Sequence, residues 1–112
     1  MLAGAVTSEH IGDHGESLTP RDIFERDLRW IEEAADADGV LVAEVSTPST
    51  GVGYEIAFAR YRFGMRVIGL YRPAYTKRCS AMISGDSEIR LIEYDDESID
   101  IAIAKLSRIL SE

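Results

Sequence analysis

The sequence predicts an α/β domain built on a doubly wound parallel sheet, and three features indicate it. Short apolar segments of strand length alternate with longer segments whose apolar residues recur at helical spacing. The short segments are apolar at nearly every position, which is typical of strands covered by helices on both faces. Their order is strand, helix, strand, helix, strand, loop, strand, helix, and this alternation favours parallel strands joined by crossover helices. We expect the 112 residues to form a single domain, residues 1–112.

Charge and composition exclude several classes of protein. The net charge of −8 argues against a protein that binds nucleic acid polymers or anionic membranes, because these polyanions would repel the chain. A small anion could still bind in a local pocket. Cys79 is the single cysteine, so no intrachain disulfide forms, and no apolar run reaches the length of a membrane span. We therefore expect a cytoplasmic protein without a nucleic acid or membrane partner.

The first elements are a short strand at Leu2–Thr7 and a helix that begins after Thr19. Between them, His10 and His14 flank an acidic loop, but their spacing matches no metal-ligand pattern, so we predict no metal site. Thr19 is the expected N-cap of the helix and Pro20 its first residue, with an acid three residues after the cap. We expect this helix to run to about residue 35.

Helical periodicity places Asp27 inside the apolar side of this first helix. The apolar side comprises Ile23, Phe24, Leu28, Trp30, Ile31 and Ala34. The polar side comprises Arg21, Asp22, Glu25, Arg26, Arg29, Glu32 and Glu33. A carboxylate on the apolar side is costly to bury unless it is paired. Asp27 is therefore either an acid at the edge of the face, bonded to a loop N–H, or a catalytic acid whose pKa is tuned by its pocket.

The rest of the sequence is organised around residues 40–55. Val40–Val45 is a nearly continuous apolar run and predicts a buried strand. Ser46–Thr50 cannot extend that strand and predicts a turn. A helical pattern follows from about residue 52 to residue 63. Since ligands of doubly wound sheets bind at the carboxyl ends of strands, this turn is the expected position of a binding site.

Four residues of this turn and helix are candidates for the site. Gly51 and Gly53 allow backbone to approach a ligand closely, and the helix N–H groups beside the Ser49 hydroxyl suit a phosphate or another anion. Glu55 is expected in the first helical turn, next to the same position. It is either a functional carboxylate or a charge that the helix dipole stabilises, and its spacing alone does not decide between them.

The remaining chain continues the alternation. Gly64 is a helix stop, and Met65–Tyr71 predicts a second buried strand. Residues 72–85 predict a loop, and Ile89–Tyr94 predicts the last strand. Asp95 or Asp96 is the expected cap of a final helix. The predicted buried face of that helix comprises Ile99, Ala102, Ile103, Leu106, Ile109 and Leu110.

Two motifs of this sequence resemble a known enzyme family. The first is D-L-R-W-I-E-E-A, which begins at Asp27, and the second is V-A-E-V-S-T-P-S-T-G-V-G-Y-E, which ends at Glu55. Both closely resemble the 2′-deoxynucleoside 5′-monophosphate N-hydrolases, which are relatives of the nucleoside 2-deoxyribosyltransferases. Ser8-Glu9-His10 and Ser80-Ala81-Met82 extend the resemblance over nearly the whole chain. A single nucleoside 2-deoxyribosyltransferase-like domain with a flavodoxin- or Rossmann-like fold is therefore implied.

The resemblance implies cleavage of the N-glycosidic bond of a deoxynucleoside monophosphate to free base and 2-deoxyribose 5-phosphate, without a metal or an organic cofactor. Glu55 matches the nucleophile of the family, and Asp27 matches the acid that positions it and helps with proton transfer. The residues that match substrate-binding positions are His10 in the pocket, Ser49 and Gly51 at the phosphate, Gly53, and then Ser80 and Met82. In the family the last two reach into the active site of the partner subunit, which implies a homodimer.

The sequence departs from the family in one respect. Members of the family begin with a strand, a glycine-rich loop of the form Y-F-x-G-S-I-R-G and a helix, before the strand that Leu2–Thr7 matches. This sequence lacks all three. A missing central strand would leave backbone groups unpaired, so we expect either a truncated product or a sheet completed by a rearranged first strand or a partner chain.

Three alternatives to the hydrolase therefore stay open at this point. One is a nucleoside 2-deoxyribosyltransferase, and another is a hydrolase of ribonucleotides such as CMP. The third is an inactive, truncated homologue that only binds nucleotides.

Overall fold

The computed structural model describes residues 17–73 and 79–112. In this part of the chain three parallel strands, in the order β1-β2-β3, form a sheet flanked by helices, which confirms the α/β class and the parallel sheet. The elements are α1 (Pro20–Asp36), β1 (Val40–Glu44), α2 (Thr50–Phe63), β2 (Arg66–Tyr71), α3 (Ala81–Ser84), β3 (Ile89–Glu93) and α4 (Ile99–Leu110). The strand predicted at residues 2–7 lies outside the described residues.

Both faces of the sheet are buried, which is why β1 is apolar at nearly every position. Side chains alternate between the faces of a strand. Leu41 and Ala43 therefore share one core with residues of α1 and α2, while Val40 and Val42 share the other with residues of α4. Since helices lie on each side of the sheet, this arrangement agrees with the predicted doubly wound sheet.

Hydrogen bonds beyond the strand ends fix the turn between β1 and α2. The Val45 N–H donates to the carbonyl of Leu70 at 2.8 Å, one residue beyond β1. Next, the Arg72 N–H donates to the hydroxyl of Ser46 at 2.7 Å, and Ser46 is 2% exposed. A buried hydroxyl with a partner stays in place, so the chain leaves the sheet at a defined position. The turn that leads to α2 consequently begins at the carboxyl edge, as predicted.

Helix α1 begins with the predicted cap. The Asp22 N–H donates to the Thr19 hydroxyl at 3.1 Å, and the Thr19 N–H donates to the Asp22 carboxylate at 3.2 Å, while Pro20 occupies the first turn. This reciprocal capping box satisfies two N–H groups that the helix itself leaves without partners.

Helix α2 ends at Gly64, which has a φ of 63°. This left-handed conformation favours glycine, and the predicted helix stop is confirmed.

Two predictions about the C-terminal half are wrong. Residues 72–85 were expected to be a loop, but Ala81–Ser84 form the short helix α3 after a cap by the Ser80 hydroxyl. Neither Asp95 nor Asp96 caps α4. The Asp95 N–H donates to the Ser98 hydroxyl at 3.0 Å and the Asp95 carboxylate accepts from the Glu97 N–H at 2.9 Å. These bonds make a turn before the helix, whose N-cap is Ser98.

Some residues of the predicted buried faces are exposed. Ile99 and Ile103 of α4 are 44% and 55% exposed, whereas Ala102 and Ile109 are buried. Adjacent helical residues differ by about 100° in direction. The side of α4 that contains Ala102 and Ile109 packs on the sheet, so the next residue, Ile103, points away from the sheet. On α1, Phe24 is likewise exposed and contacts Tyr54.

None of the helices in the described ranges is both long and apolar enough to cross a membrane.

We predict that Ile31→Ala strongly destabilises the fold. Ile31 is 0% exposed and lies in the core that α1 shares with the sheet. Its truncation should lower the free energy of unfolding by about 3 kcal/mol, through lost burial and a residual cavity. Ile101→Ala is the matched control, because Ile101 is 59% exposed and should change the value by less than about 0.5 kcal/mol. Urea denaturation measures both, and equal unfolding midpoints would contradict the assignment of this core.

Candidate active site

Two carboxyl groups meet where helices α1 and α2 pack together. Asp27 lies in the middle of α1, and its side chain is 13% exposed. Glu55 lies on α2, close enough to Asp27 for that residue to raise its pKa. Both helices contribute to the same core on one face of the sheet. Phe24 and Tyr54 also contact edge to face, with ring centroids 6.1 Å apart. The tertiary structure therefore brings together the two residues that the sequence indicated as catalytic candidates.

The environment of Glu55 raises its pKa to about 7. Burial is the largest cause, followed by the side-chain hydrogen bond with Asp27 and the like charge of that residue. The charge of Arg26 acts in the opposite direction and lowers the pKa. The Oε2 atom of Glu55 is buried and has no hydrogen-bond partner among the described residues. Near neutral pH this carboxyl can consequently exist as the acid or as the carboxylate, which suits both nucleophilic attack and proton transfer.

The position of Glu55 differs from the prediction. Helix α2 begins at Thr50, two residues earlier than expected, because the Ser49 hydroxyl accepts a hydrogen bond from the Val52 N–H at 3.3 Å. Glu55 therefore lies in the second turn, and the first turn has no acidic residue. The helix dipole acts mainly within the first turn, so the interpretation of Glu55 as a helix-terminal charge is wrong.

Arg26 is a site residue that the sequence did not indicate. Periodicity assigned it to the polar side of α1, but it is 9% exposed. Its Nε atom donates to Asp27 Oδ1 at 3.1 Å, and its guanidinium lies over the ring of Trp30, 4.7 Å from the centroid. The spacing of four residues between Arg26 and Trp30, beside an acid on the apolar side, is the sequence feature that could have revealed it.

The three other candidates of this region lie at the N-terminus of α2. Ser49 is the N-cap residue. A Cβ atom added at Gly51 or Gly53 would meet no atom within 4 Å, so the backbone at both glycines is accessible to a ligand. A helix N-terminus presents N–H groups that favour an anion.

Ser80 and Met82 lie in a groove of about 800 Å³ together with Ser49 and Gly53. Ser80 caps α3, and the Met82 side chain is 83% exposed. The acid pair and Gly51 are not among the residues that line this groove. Within one chain, therefore, Ser80 and Met82 line the same groove as Ser49 and Gly53. The carboxyl groups of Asp27 and Glu55 do not line that groove. His10 lies outside the described residues.

A polar network surrounds the carboxyl edge of the sheet. The Tyr94 hydroxyl donates to Glu44, and Glu44 accepts a second hydrogen bond from the Ser46 N–H at 2.7 Å. The Arg72 guanidinium lies over the Tyr94 ring at 5.6 Å and is 3.8 Å from Glu44. Burial and the bond to Glu44 raise the pKa of Tyr94 to about 12, so its proton stays in place at neutral pH. The network ties the three strand ends together beside the α2 turn.

Residues 17–73 and 79–112 contain no group of three or more His, Cys, Asp or Glu side chains arranged to hold a metal ion.

The chain is similar over most of its length to proteins named as nucleotide N-hydrolases. A Thermofilum pendens protein that carries the name 2′-deoxynucleoside 5′-phosphate N-hydrolase 1 is 44% identical over 111 residues, covering 94% of this chain and 73% of that protein. A Syntrophotalea carbinolica protein of the same name is 41% identical over 100 residues, covering 85% and 67%. Human 5-hydroxymethyl-dUMP N-hydrolase is 36% identical over 107 residues, covering 87% and 59%, so this chain spans less than two thirds of the human protein. No protein-family model matches the chain.

We predict that Glu55→Gln stabilises the fold at pH 8 but not at pH 4. An acid whose pKa rises from 4.5 to about 7 on folding destabilises the folded state once it is ionised. That destabilisation is absent below pH 4.5, grows as the pH rises toward 7 and is complete above it. At pH 8 the glutamine should add about 1 kcal/mol to the free energy of unfolding, since water reaches part of the carboxyl and screens its charge.

Urea denaturation at the two pH values measures this difference. Glu32→Gln is the control, because Glu32 is an exposed acid on α1 and its replacement should give the same small change at both pH values. A Glu55→Gln effect that does not differ between pH 4 and pH 8 would contradict the raised pKa.

Proposed function

Because this chain belongs to the 2′-deoxynucleoside 5′-phosphate N-hydrolase family, we propose that it hydrolyses the N-glycosidic bond of 2′-deoxynucleoside 5′-monophosphates. The products are the free base and 2-deoxyribose 5-phosphate. The observation that carries this proposal is the pair of adjacent carboxyls, Asp27 and Glu55, in which the pKa of Glu55 lies near 7. Two acids with one proton between them provide what cleavage of a sugar–base bond requires.

Glu55 is the nucleophile in this reaction. Its carboxylate attacks C1′ of the sugar, so that a C1′–O bond forms while the C1′–N bond breaks and the base leaves with the bonding electrons and a proton. Water then cleaves the glycosyl ester and restores the carboxylate. Asp27, which lies close enough to Glu55 to raise its pKa, supplies a proton to the departing base and accepts one from the attacking water.

The N-terminus of α2 holds the 5′-phosphate of the substrate. Ser49, Gly51 and Gly53 lie there, and no atoms crowd the backbone of the two glycines. The Ser49 oxygen already accepts the Val52 N–H, so its own O–H is available to donate to a phosphate oxygen. Binding the phosphate positions C1′ against Glu55, which lies one turn further along the same helix. His10 remains a predicted residue of the pocket.

We further propose that the protein is a homodimer in which Ser80 and Met82 enter the active site of the partner subunit. Met82, Tyr61 and Tyr54 are 83%, 79% and 57% exposed. Methionine and tyrosine are enriched at protein interfaces, and apolar groups this exposed gain stability when a second chain covers them. The groove beside Met82 is not lined by the acid pair of its own chain, which favours a role in trans.

The buried, unpaired Cys79 fits a reducing cytoplasm, where we place this reaction.

We predict that the purified chain releases free base from deoxynucleoside monophosphates, and that Glu55→Gln lowers kcat/KM by about 10³-fold or more, because the amide cannot form the glycosyl ester. Asp27→Asn should lower it by about 10²-fold through lost proton transfer. Chromatography of the base measures the release. The exposed Glu32→Gln variant should keep wild-type activity, and undiminished release by Glu55→Gln would refute the mechanism.

We predict that light scattering gives twice the mass of one chain, and that Met82→Glu gives a monomer with lower activity. A carboxylate at this exposed position would have to be desolvated in the interface. Ile103→Glu is the control, because Ile103 is 55% exposed on α4 and does not line the groove. A monomeric wild-type chain with full activity would overturn the proposal that Met82 acts in trans.

A further inference from the structure

Arg26 is a charged side chain buried beside the acid pair. Its side chain is 11% exposed, and both Nε and Nη2 lie 3.1 Å from Asp27 Oδ1. The guanidinium also stacks over Trp30 at 4.7 Å. A planar group held by an acid at one edge and an aromatic ring on one face has a fixed orientation. The position of this cation relative to the two carboxyls is therefore set by the fold.

Arg26 and Glu55, which both interact with Asp27, carry unused hydrogen-bonding groups. Nη1 of Arg26 is buried and has no hydrogen-bond partner among the described residues, and the same is true of Glu55 Oε2, whereas Nη2 has its ion-pair contact with Asp27 Oδ1. Buried donors and acceptors without partners are uncommon, because each loses its bonds to water. Here the unsatisfied donors carry a positive charge, and the unsatisfied acceptor belongs to a group that becomes negative. The two sets are complementary in charge.

We propose that Arg26 is a positioning residue that orients Asp27 and supplies the counter-charge that keeps Glu55 available as a carboxylate. Its role in turnover rests on the proposed function, but its effect on the ionisation of Glu55 does not. Arginine is not deprotonated in proteins, so the counter-charge is permanent.

The charged groups that face Glu55 from the described elements have opposing effects. From α1, Asp27 raises the pKa of Glu55 and Arg26 lowers it. Strands β1 and β2, which also pack on this side, contribute apolar side chains and the Tyr71 phenol to the core. On α2 itself, Arg60 is paired with Asp86 at 2.8 Å. Removing the charge of Arg26 would thus leave burial and Asp27 unopposed, and the pKa of Glu55 would rise further above 7.

Nuclear magnetic resonance of the full chain tests this inference without turnover. The glutamate side-chain carboxyl carbons are labelled with ¹³C, and the Glu55 signal is identified by its loss in Glu55→Gln. In the wild-type chain it should titrate near pH 7. In Arg26→Gln the midpoint should rise by about one pH unit, which corresponds to a tenfold lower ionised fraction well below the midpoint. Arg29→Gln, which removes an exposed arginine of the same helix, should leave the midpoint unchanged.

Arg26→Lys separates charge from packing. The lysine keeps the positive charge but loses the fork and the stacking, so a midpoint within about half a unit of wild type supports the proposal. A rise as large as that of Arg26→Gln, or a folded Arg26→Gln chain that titrates like wild type, would overturn it. Circular dichroism establishes folding. If the glutamine variant does not fold, a midpoint about one pH unit above wild type in the lysine variant still overturns the proposal.

The pH profile of kcat/KM gives the kinetic readout. Its acidic limb should move to higher pH in Arg26→Gln by the same amount as the Glu55 midpoint, with about tenfold lower kcat/KM at pH 6. A merely structural defect would lower the whole profile without moving the limb, and that result would overturn the role in turnover. If the wild-type chain releases no base, the proposed function fails while the titration still tests Arg26.

Discussion

The site depends on keeping two carboxyl groups together in a partly buried space between packed helices. The like charge of the two groups and their burial both disfavour ionisation of the pair. Packing of the helices holds the groups together all the same, and the positive charge of Arg26 favours the ionised form of Glu55. Ile31 of α1 and Ala59 of α2 are each 0% exposed in the core that these helices share. That packing fixes the separation of Asp27 and Glu55. A stable scaffold thus holds a locally unfavourable arrangement, which is the usual relation between an active site and its fold.

The parallel sheet supplies the second constraint, because its carboxyl edge positions the start of α2. Ser46 is held by the Arg72 N–H, and Glu44 bonds both Ser46 and Tyr94. The turn therefore leaves the sheet in a defined direction, and Ser49 caps the helix that carries Glu55. In the reaction proposed above, one helix would serve both phosphate binding, at its N-terminus, and nucleophilic attack, by the carboxylate one turn later.

Much of this arrangement was predictable from local patterns. The capping box at Thr19, the glycine stop at Gly64 and a buried strand that begins at Val40 depend on neighbouring residues, and the structure confirms all three, with the strand ending at Glu44 rather than Val45. The burial of Arg26 was not predictable by periodicity, which grouped this residue with the polar side of α1. The ion pair with Asp27 and the stacking on Trp30 offset the cost of burying the Arg26 charge. Both contacts depend on side-chain geometry, which periodicity does not describe.

By itself the sequence determined the fold class, the order of the described strands and longer helices, and the motifs that show the family, because these follow from periodicity, caps and residue identity within short segments. Only the tertiary structure decided that Asp27 and Glu55 meet, that Glu55 lies beyond the reach of the helix dipole and that Arg26 faces the pair. The physical reason is that a pKa near 7 arises from burial and from charges on another helix. Such interactions depend on distances through space between segments that lie 28 residues apart in the chain, from position 27 to position 55.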